Sequence, residues 1–467
     1  MKKGNMGYLL FLSIVAALGG FLFGYDTAVI SGTIKSVSIQ FNMNEIQSGW
    51  YVGSALLGSI AGVLVAGRLS DLFGRRPVLF VAAALFSASA IGCMLSLNEQ
   101  ALIFYRIIGG VGIGVASIIS PLYISEISLP NYRGRLVSLY QLAITIGFLG
   151  AYLVNYALKI NAQSMQADIV LHTSWINKIF ISEVWRSMLG AESIPALLFF
   201  ITLFFIPESP RWLSVKNKNV QSLKILSRIQ GKESAVSQLN EIKLALKNEG
   251  QSNWRLLFKN GYRTPMIIGI SLAILGQFMG VNAVLYYGPS IFEQTGLSEG
   301  DSLFYQVFVG LINVISTVIA IWLIDKIGRK KLIYYGVTGM LVSLILIGLY
   351  FQINKTGTIV PPVTLLFLIL AYIFGCAISI CVVIWVLLSE MYPTKVRGAA
   401  MSIAGFSLWI GTYLIGQLTP WLMSSLSATG LFFLFALMCI PYLWITWKLV
   451  PETTGKSLEE IEVMWNS

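Results

Sequence analysis

"GRLSDLFGRRP", residues 67–77, returns as "LIDKIGRKK", residues 323–331, so that Asp71 and Asp325 stand 254 residues apart. Each copy places an aspartate four residues before an arginine, Arg75 or Arg329, with Gly74 or Gly328 just before the arginine. Each also lies between two long apolar runs. A charged turn is costly inside hydrocarbon, whereas an apolar run of about 20 residues on either side is long enough to cross it. The signature therefore marks a short loop between two membrane helices, and its return marks a duplication.

Two further signatures keep the same order. "SEISLPNYRGR", with Glu126 and Arg133, returns as "SEMYPTKVRG", with Glu390 and Arg397, and "PESPRWL", with Glu208, returns as "PETTGKSL", with Glu452. The offsets stay near 250 residues, as expected of a six-helix unit present twice. Apolar runs fall near 8–31, 47–66, 77–97, 101–125, 136–157, 188–206, 264–288, 303–324, 331–352, 363–389, 399–422 and 428–448. The expected fold is an all-α membrane protein of twelve transmembrane helices in two pseudo-symmetric halves. Its parts are 1–206, a linker of short amphipathic helices at 207–263, 264–450 and a tail at 451–467.

Composition agrees with this reading. The 467-residue chain is 56% hydrophobic and only 11% charged, with mean hydropathy +0.75, against roughly 25% charged residues in soluble domains. Of its 32 lysines and arginines, Lys35, Lys159, Lys178, Arg186 and Lys355 would face outward, Arg106 lies within a span, and the rest collect on one side. By the positive-inside rule both termini are cytoplasmic. The net charge of +11 then suits an anionic leaflet, with no nucleic acid implied. Lys2 and Lys3 precede a run too long for a signal peptide, so it reads as a retained first helix.

All three repeated signatures sit at the basic side. Asp71, Arg75, Glu126, Arg133 and Glu208 in the first half, and Asp325, Arg329, Glu390, Arg397 and Glu452 in the second, are spaced to pair between helices. They read as a cytoplasmic gate, locking when that face is shut and releasing when it opens. Cys93, Cys376, Cys381 and Cys439 lie in apolar spans without metal-ligand spacing and read as packing thiols. Nothing resembles a metal cluster, a phosphate loop or an activated nucleophile, so neither an enzyme nor a cofactor is expected.

Together, "GYDTAVISG", "GRLSDLFGRRP", "YRIIGGVGIG", "PLYISEI", "YRGRLVSLYQ", "PESPRWL", "GQFMGVNAVLYYGP", "DKIGRKK", "VLLSEMYPTKVRG" and "PETTGKSLEEIE" resemble the sugar porter family of the major facilitator superfamily, its bacterial xylose/proton symporters most strongly. The resemblance implies two halves rocking about a midplane site, a monomer in the bacterial inner membrane, and import of a pentose such as xylose, or a hexose, with a proton.

An acid in the first span suits that expectation. Asp26, Arg106 and Glu192 each fall about five residues from the outer end of their span, roughly 8 Å deep at 1.5 Å per residue, so they can share one layer. Burial favours a neutral carboxyl and a nearby guanidinium favours the charged one, so a changing distance between them makes a proton carrier. In the resembling family the matching aspartate marks proton-coupled members, and uncoupled facilitators carry asparagine there. A permanent ion pair is the structural alternative.

A sugar pocket needs amides that both donate and accept, and an aromatic wall. Gln141, Gln277, Asn282, Asn313, Trp385 and Trp409 sit in mid-span and match the family's lining positions. Phe23 resembles an aromatic lining residue, and Tyr286 and Tyr287 resemble an outer gate beside a Gly288-Pro289 break. Amides can instead join helices, and tryptophans can simply pack. The chain departs from xylose symporters at Gly276, Leu408 and Phe148, where they carry glutamines, and at Cys381-Val382, where they carry Gly-Pro. An uncoupled uniporter and a non-transporting sugar sensor are the competing functions.

Overall fold

In hydrocarbon no water is available to peptide groups, so each N–H and C=O must find its partner within the protein. The apolar runs are accordingly helical. The computed structural model describes residues 5–129, 132–166, 175–248, 257, 262–358, 360–392 and 396–452, with backbone alone at 245–248 and 325. The side chain of Asp325 thus lies outside the described atoms. Among the described residues, eleven helical stretches are long and apolar enough to cross a bilayer.

The first half comprises α1 (Met6–Val29), α2 (Glu45–Phe73), α3 (Arg75–Leu95), α4 (Glu99–Ile127), α5 (Arg133–Gln166) and a sixth span in two pieces, α6 (Val184–Ala191) and α7 (Ser193–Thr202). The linker contributes α8 (Pro210–Val215), α9 (Asn219–Gln230) and α10 (Lys232–Asn248). As the amphipathic pattern predicts, the last two share a small apolar core of Leu226, Ala235 and Leu239 flanked by Leu223 and Ile242. The second half holds a seventh span in two pieces, α11 (Arg263–Phe278) and α12 (Val281–Glu293), then α13 (Glu299–Ile327) and α14 (Arg329–Lys355). A tenth span follows as α15 (Pro362–Cys376), a π-helical turn (Ala377–Cys381) and α16 (Val382–Met391), and α17 (Arg397–Lys448) ends the helical part. At 52 residues α17 far exceeds one crossing, and it breaks at Ser427, whose φ of 59° and ψ of 170° are non-helical. It makes two spans, which completes the twelve.

The interruptions have local causes. Pro195 lacks the N–H that would bond the Ala191 carbonyl, and the sixth span turns at Glu192. The seventh span breaks at Gly280, left-handed with φ 85°, and not at Gly288-Pro289, where the sequence suggested it. There α12 runs straight through Pro289. The Leu285 carbonyl, deprived of its helical donor by the proline, accepts instead from the Tyr152 hydroxyl at 2.8 Å and the Gln306 amide at 3.3 Å. In the tenth span the π-turn supplies an irregularity without the Gly-Pro of the resembling family.

Packing divides the chain into two compact units. Unit 1 holds Met1–Thr27, Leu57–Ala151 and Arg186–Gln251, and unit 2 holds Ala28–Leu56, Tyr152–Trp185 and Ser252–Ser467. Unit 2 therefore gathers one end of α1, α2 and α5 together with the second half of the sequence. Within unit 1, α2 and α4 approach backbone to backbone: a Cβ on Gly62 or Gly114 would strike the Val111 or Ser59 carbonyl respectively. Small residues at such crossings are what membrane helices use where no hydrophobic drive exists.

Gly62→Leu should therefore lower the stability of the detergent-solubilised protein by about 1–3 kcal/mol, the usual cost of overpacking. Gly339→Leu, where an added Cβ meets nothing within 4 Å, should melt like the wild type in the same thermal unfolding measurement.

Candidate functional site

The basic end of unit 1 is organised by Arg75. Gly74 (φ 106°) turns the chain sharply between α2 and α3, and Arg75 follows as the first residue of α3. Its Nε and Nη2 donate to the two oxygens of Glu126 at 3.0 and 2.9 Å, while Nη1 donates to the Ser70 carbonyl at 3.0 Å and to Asp71 at 3.1 Å. Such a two-pronged guanidinium–carboxylate bond is stronger and more directional than a single contact. The side chains of Arg75 and Glu126 are only 10% and 4% exposed, whereas that of Asp71 is 74% exposed. Glu126 is thus the main partner and Asp71 an outlying one.

Glu208 meets the same turn from the other side. Its carboxylate accepts from the backbone N–H of Arg75 at 2.9 Å and of Arg76 at 3.3 Å, capping the electropositive start of α3. Burial outweighs these N–H groups and raises the Glu208 pKa above its ordinary value. Ser209 donates its hydroxyl to Glu126 and caps α8 through the Trp212 N–H. The serine-before-proline in "PESPRWL" signals such a cap, although its bond to Glu126 has no signal along the chain.

Unit 2 repeats the arrangement. Arg329 follows Gly328 (φ 95°) and donates to the Ile324 carbonyl at 3.3 Å and to Glu390 at 3.0 Å. Lys330 donates to the Trp447 and Val450 carbonyls at 2.9 and 2.8 Å, as Arg76 does to Leu203 and Phe204 at 3.1 and 3.0 Å. The duplication read from the sequence thus reappears in the bonds of the arginine to a carboxylate and a carbonyl and of the next basic residue to two carbonyls. These contacts join helices of the same unit. Arg133 and Arg397, expected to pair as gate residues, donate to the Ser125 and Tyr392 carbonyls, each at 3.2 Å, and Glu452 is half-buried.

Deep in unit 1, Asp26 of α1 and Arg106 of α4 form an ion pair, their side chains 1% and 3% exposed. Glu192, at the turn between α6 and α7, is also buried and within electrostatic reach of both. The three share one layer, as the depth count predicts. Asp26 Oδ2 and Glu192 Oε1 have no hydrogen-bond partner among the described residues. Gly109, one turn beyond Arg106, leaves room for this group, since a Cβ there would stand 3.0 Å from Asp26 Oδ2. Two acids with one cation, each keeping an unused oxygen, form a group with spare capacity for a proton.

In unit 2 the Gln277 side-chain oxygen accepts from Asn282 Nδ2 at 2.7 Å and from Thr412 Oγ1 at 3.0 Å. The break at Gly280 is what lets Gln277 and Asn282 meet across it. With its oxygen engaged, the Gln277 amide keeps two donors, and Asn282 keeps its acceptor oxygen. Trp409, 7% exposed, lies one turn before Thr412. The sequence reasoning missed that threonine, although its helical spacing from Trp409 is a usable signal. Trp385, 38% exposed, lies against Gly405, and Asn313 is buried in α13. Phe23 and Gln141, both half-buried, belong to unit 1. Gly276 faces Ile380 of the π-turn, where a Cβ would stand 3.3 Å from its side chain.

The end of unit 2 away from its basic turns is tightly joined. Tyr286 and Tyr287 are buried, the latter donating to the Gly416 carbonyl at 2.6 Å. Lys35 pairs with Glu293 and Lys159 with Glu299, both at 2.8 Å, and Gln417 donates to the Ile46 carbonyl at 2.9 Å.

Comparison with known proteins places these features in context. Residues 12–465 match the family model described as sugar (and other) transporter. The chain is 40% identical over 464 residues to the arabinose-proton symporter of Bacillus subtilis (strain 168), covering 99% of this chain and 96% of that one. It is 39% identical over 494 residues to the D-xylose-proton symporter of Escherichia coli (strain K12), with the same coverage. The inward open conformation of the xylose transporter XylE from E. coli superimposes with a TM-score of 0.83 at 36% identity, over 98% of this chain and 100% of that one.

Removing one partner of a buried pair leaves the other charge stranded. Glu126→Ala should accordingly cost about 3–5 kcal/mol of stability in thermal melts, whereas Asp71→Ala, which removes an exposed partner, should cost no more than about 1 kcal/mol.

Proposed function

The chain belongs to the sugar transporter family of the major facilitator superfamily, and on that premise we propose that it imports a monosaccharide together with a proton, a pentose such as D-xylose being the first substrate to test. It is a multi-pass membrane protein and a transporter, not an enzyme. The observation that carries the reading is the buried Asp26–Arg106 ion pair within the spans. A charge inside the membrane costs at least about 2.5–3.5 kcal/mol, so such an acid is expected only where it pairs or works.

In this reading the basic turns face the cytoplasm, as do both termini, in the bacterial inner membrane. The contacts that join Lys35, Lys159 and Tyr152 to the second half then close the extracellular side, with Tyr286 and Tyr287 as the outer gate. The Arg106 guanidinium beside Asp26 favours its charged form. When the halves 1–206 and 264–450 rearrange and that contact loosens, Asp26 takes a proton, with Glu192 as the neighbouring acid. The networks of Asp71, Arg75, Glu126, Arg133 and Glu208, and of Asp325, Arg329, Glu390, Arg397 and Glu452, brace the cytoplasmic ends of the two halves.

In unit 2 the sugar hydroxyls are held by Gln277 and Asn282, with Asn313 as a further amide and Trp385 and Trp409 as apolar walls, and in unit 1 the sugar-binding residues of this reading are Gln141 and Phe23. The Gln277 donors and the Asn282 acceptor, which have no hydrogen bond among the described residues, support this. Both relatives compared above are named for pentoses, which puts a pentose first and a hexose second in the test. The driving force suffices. One charge moved through 100 mV releases about 2.3 kcal/mol, so about 150 mV supports a gradient of a few hundred-fold at 1.4 kcal/mol per decade.

Asp26→Asn should abolish accumulation of labelled xylose against a gradient in energised vesicles while leaving sugar exchange measurable. Uphill accumulation by that variant would refute proton carriage by Asp26. Gln277→Ala should raise the KM for the accepted sugar about tenfold, the loss of one to two buried hydrogen bonds. Counterflow of labelled xylose against unlabelled pentoses and hexoses identifies that sugar, and a preference for hexoses would overturn the pentose assignment.

A further inference from the structure

Cys376 ends α15 and Cys381 ends the π-turn that follows it, with their Sγ atoms 3.6 Å apart and both thiols free. The five-residue spacing decides what this pair can do. In a regular α-helix, Cα atoms five residues apart are separated by roughly 8.6 Å, beyond the limit of about 7 Å for closing a disulfide. In a π-turn, which bonds residue i to i+5, the same two atoms come roughly one pitch apart, about 6 Å, within that limit. Only the irregular form of the tenth span brings these sulfurs within bonding range. The expectation of four inert packing thiols is therefore incomplete.

The pair also occupies a consequential place. Cys376 is fully buried, Cys381 is partly exposed, and Trp385 follows four residues later. Ile380, beside Cys381, packs at Gly276 next to Gln277. The third thiol of unit 2, Cys439, is directed to the Phe435 carbonyl at 3.5 Å.

We propose that Cys376 and Cys381 are a redox modification site, which a hydroperoxide converts into an intrahelical disulfide that fixes the tenth span in its π-turn. The more accessible Cys381 sulfur attacks the peroxide, breaking the O–O bond. With hydrogen peroxide this yields a sulfenic acid, and hydroxide leaves as water with the thiol proton. Cys376 sulfur then attacks that sulfur, an S–S bond forms, the S–O bond breaks, and a second water leaves. Two thiols lose two electrons and two protons, and one peroxide becomes two waters. While the bond persists, this turn cannot rewind into α-helix. The effect on transport rests on the proposed symport, whereas the chemistry does not.

The test uses the full chain in proteoliposomes treated with hydrogen peroxide. The peptide containing Cys376 and Cys381 should lose two hydrogen masses. Sugar uptake should fall at least about fivefold and recover with dithiothreitol, as expected of a reducible disulfide. Cys376→Ser and Cys381→Ser should each abolish the mass change and the reversible inhibition, while Cys93→Ser and Cys439→Ser should retain both. An unchanged peptide mass in the wild type, full uptake with the disulfide formed, or loss of the effect in Cys439→Ser would each overturn the proposal. If the reduced protein moves no sugar, the transport reading fails, and the peptide mass alone decides the thiol site.

Discussion

A polar group carried out of water into hydrocarbon must bring or find its partner, and nearly every feature of this molecule follows from that demand. It explains why the apolar runs are helices and why their interruptions are chemically accounted for. Pro289 deprives the Leu285 carbonyl of its donor, and Tyr152 and Gln306 supply replacements from α5 and α13. The helix therefore continues where a proline alone predicts a break. Gly280 breaks the helix instead, and the break brings Gln277 to Asn282.

Charges obey the same rule with higher stakes. Arg75 is surrounded by two carboxylates and a carbonyl, and Glu208 is seated on a helix start whose dipole favours it. Arg329 and Lys330 repeat this in the second half with different neighbours and nearly the same bonds. What duplication preserved is the set of satisfied donors and acceptors rather than every side chain: arginine became lysine at position 330, and serine became isoleucine at 324.

In the Asp26, Arg106 and Glu192 group the demand of buried charges is not fully met. One oxygen of each acid is without a hydrogen-bond partner among the described residues. A group left with spare acceptors in a dry layer is costly to keep and suited to taking up a proton.

The sequence by itself determined the number and order of the spans, the duplication, the acid within the first helix and the layer it shares with Arg106 and Glu192. All of these depend on distance along the chain, which a helix converts to depth at a fixed rise per residue. Only the tertiary structure decided that Arg75 takes Glu126 as its buried partner and leaves Asp71 exposed, that Glu208 caps α3, that Thr412 joins Gln277, and that Cys376 and Cys381 share one turn. The first three join segments far apart in sequence, whose meeting depends on how helices cross. The last depends on whether a helix keeps its regular winding, which distance along the chain does not reveal.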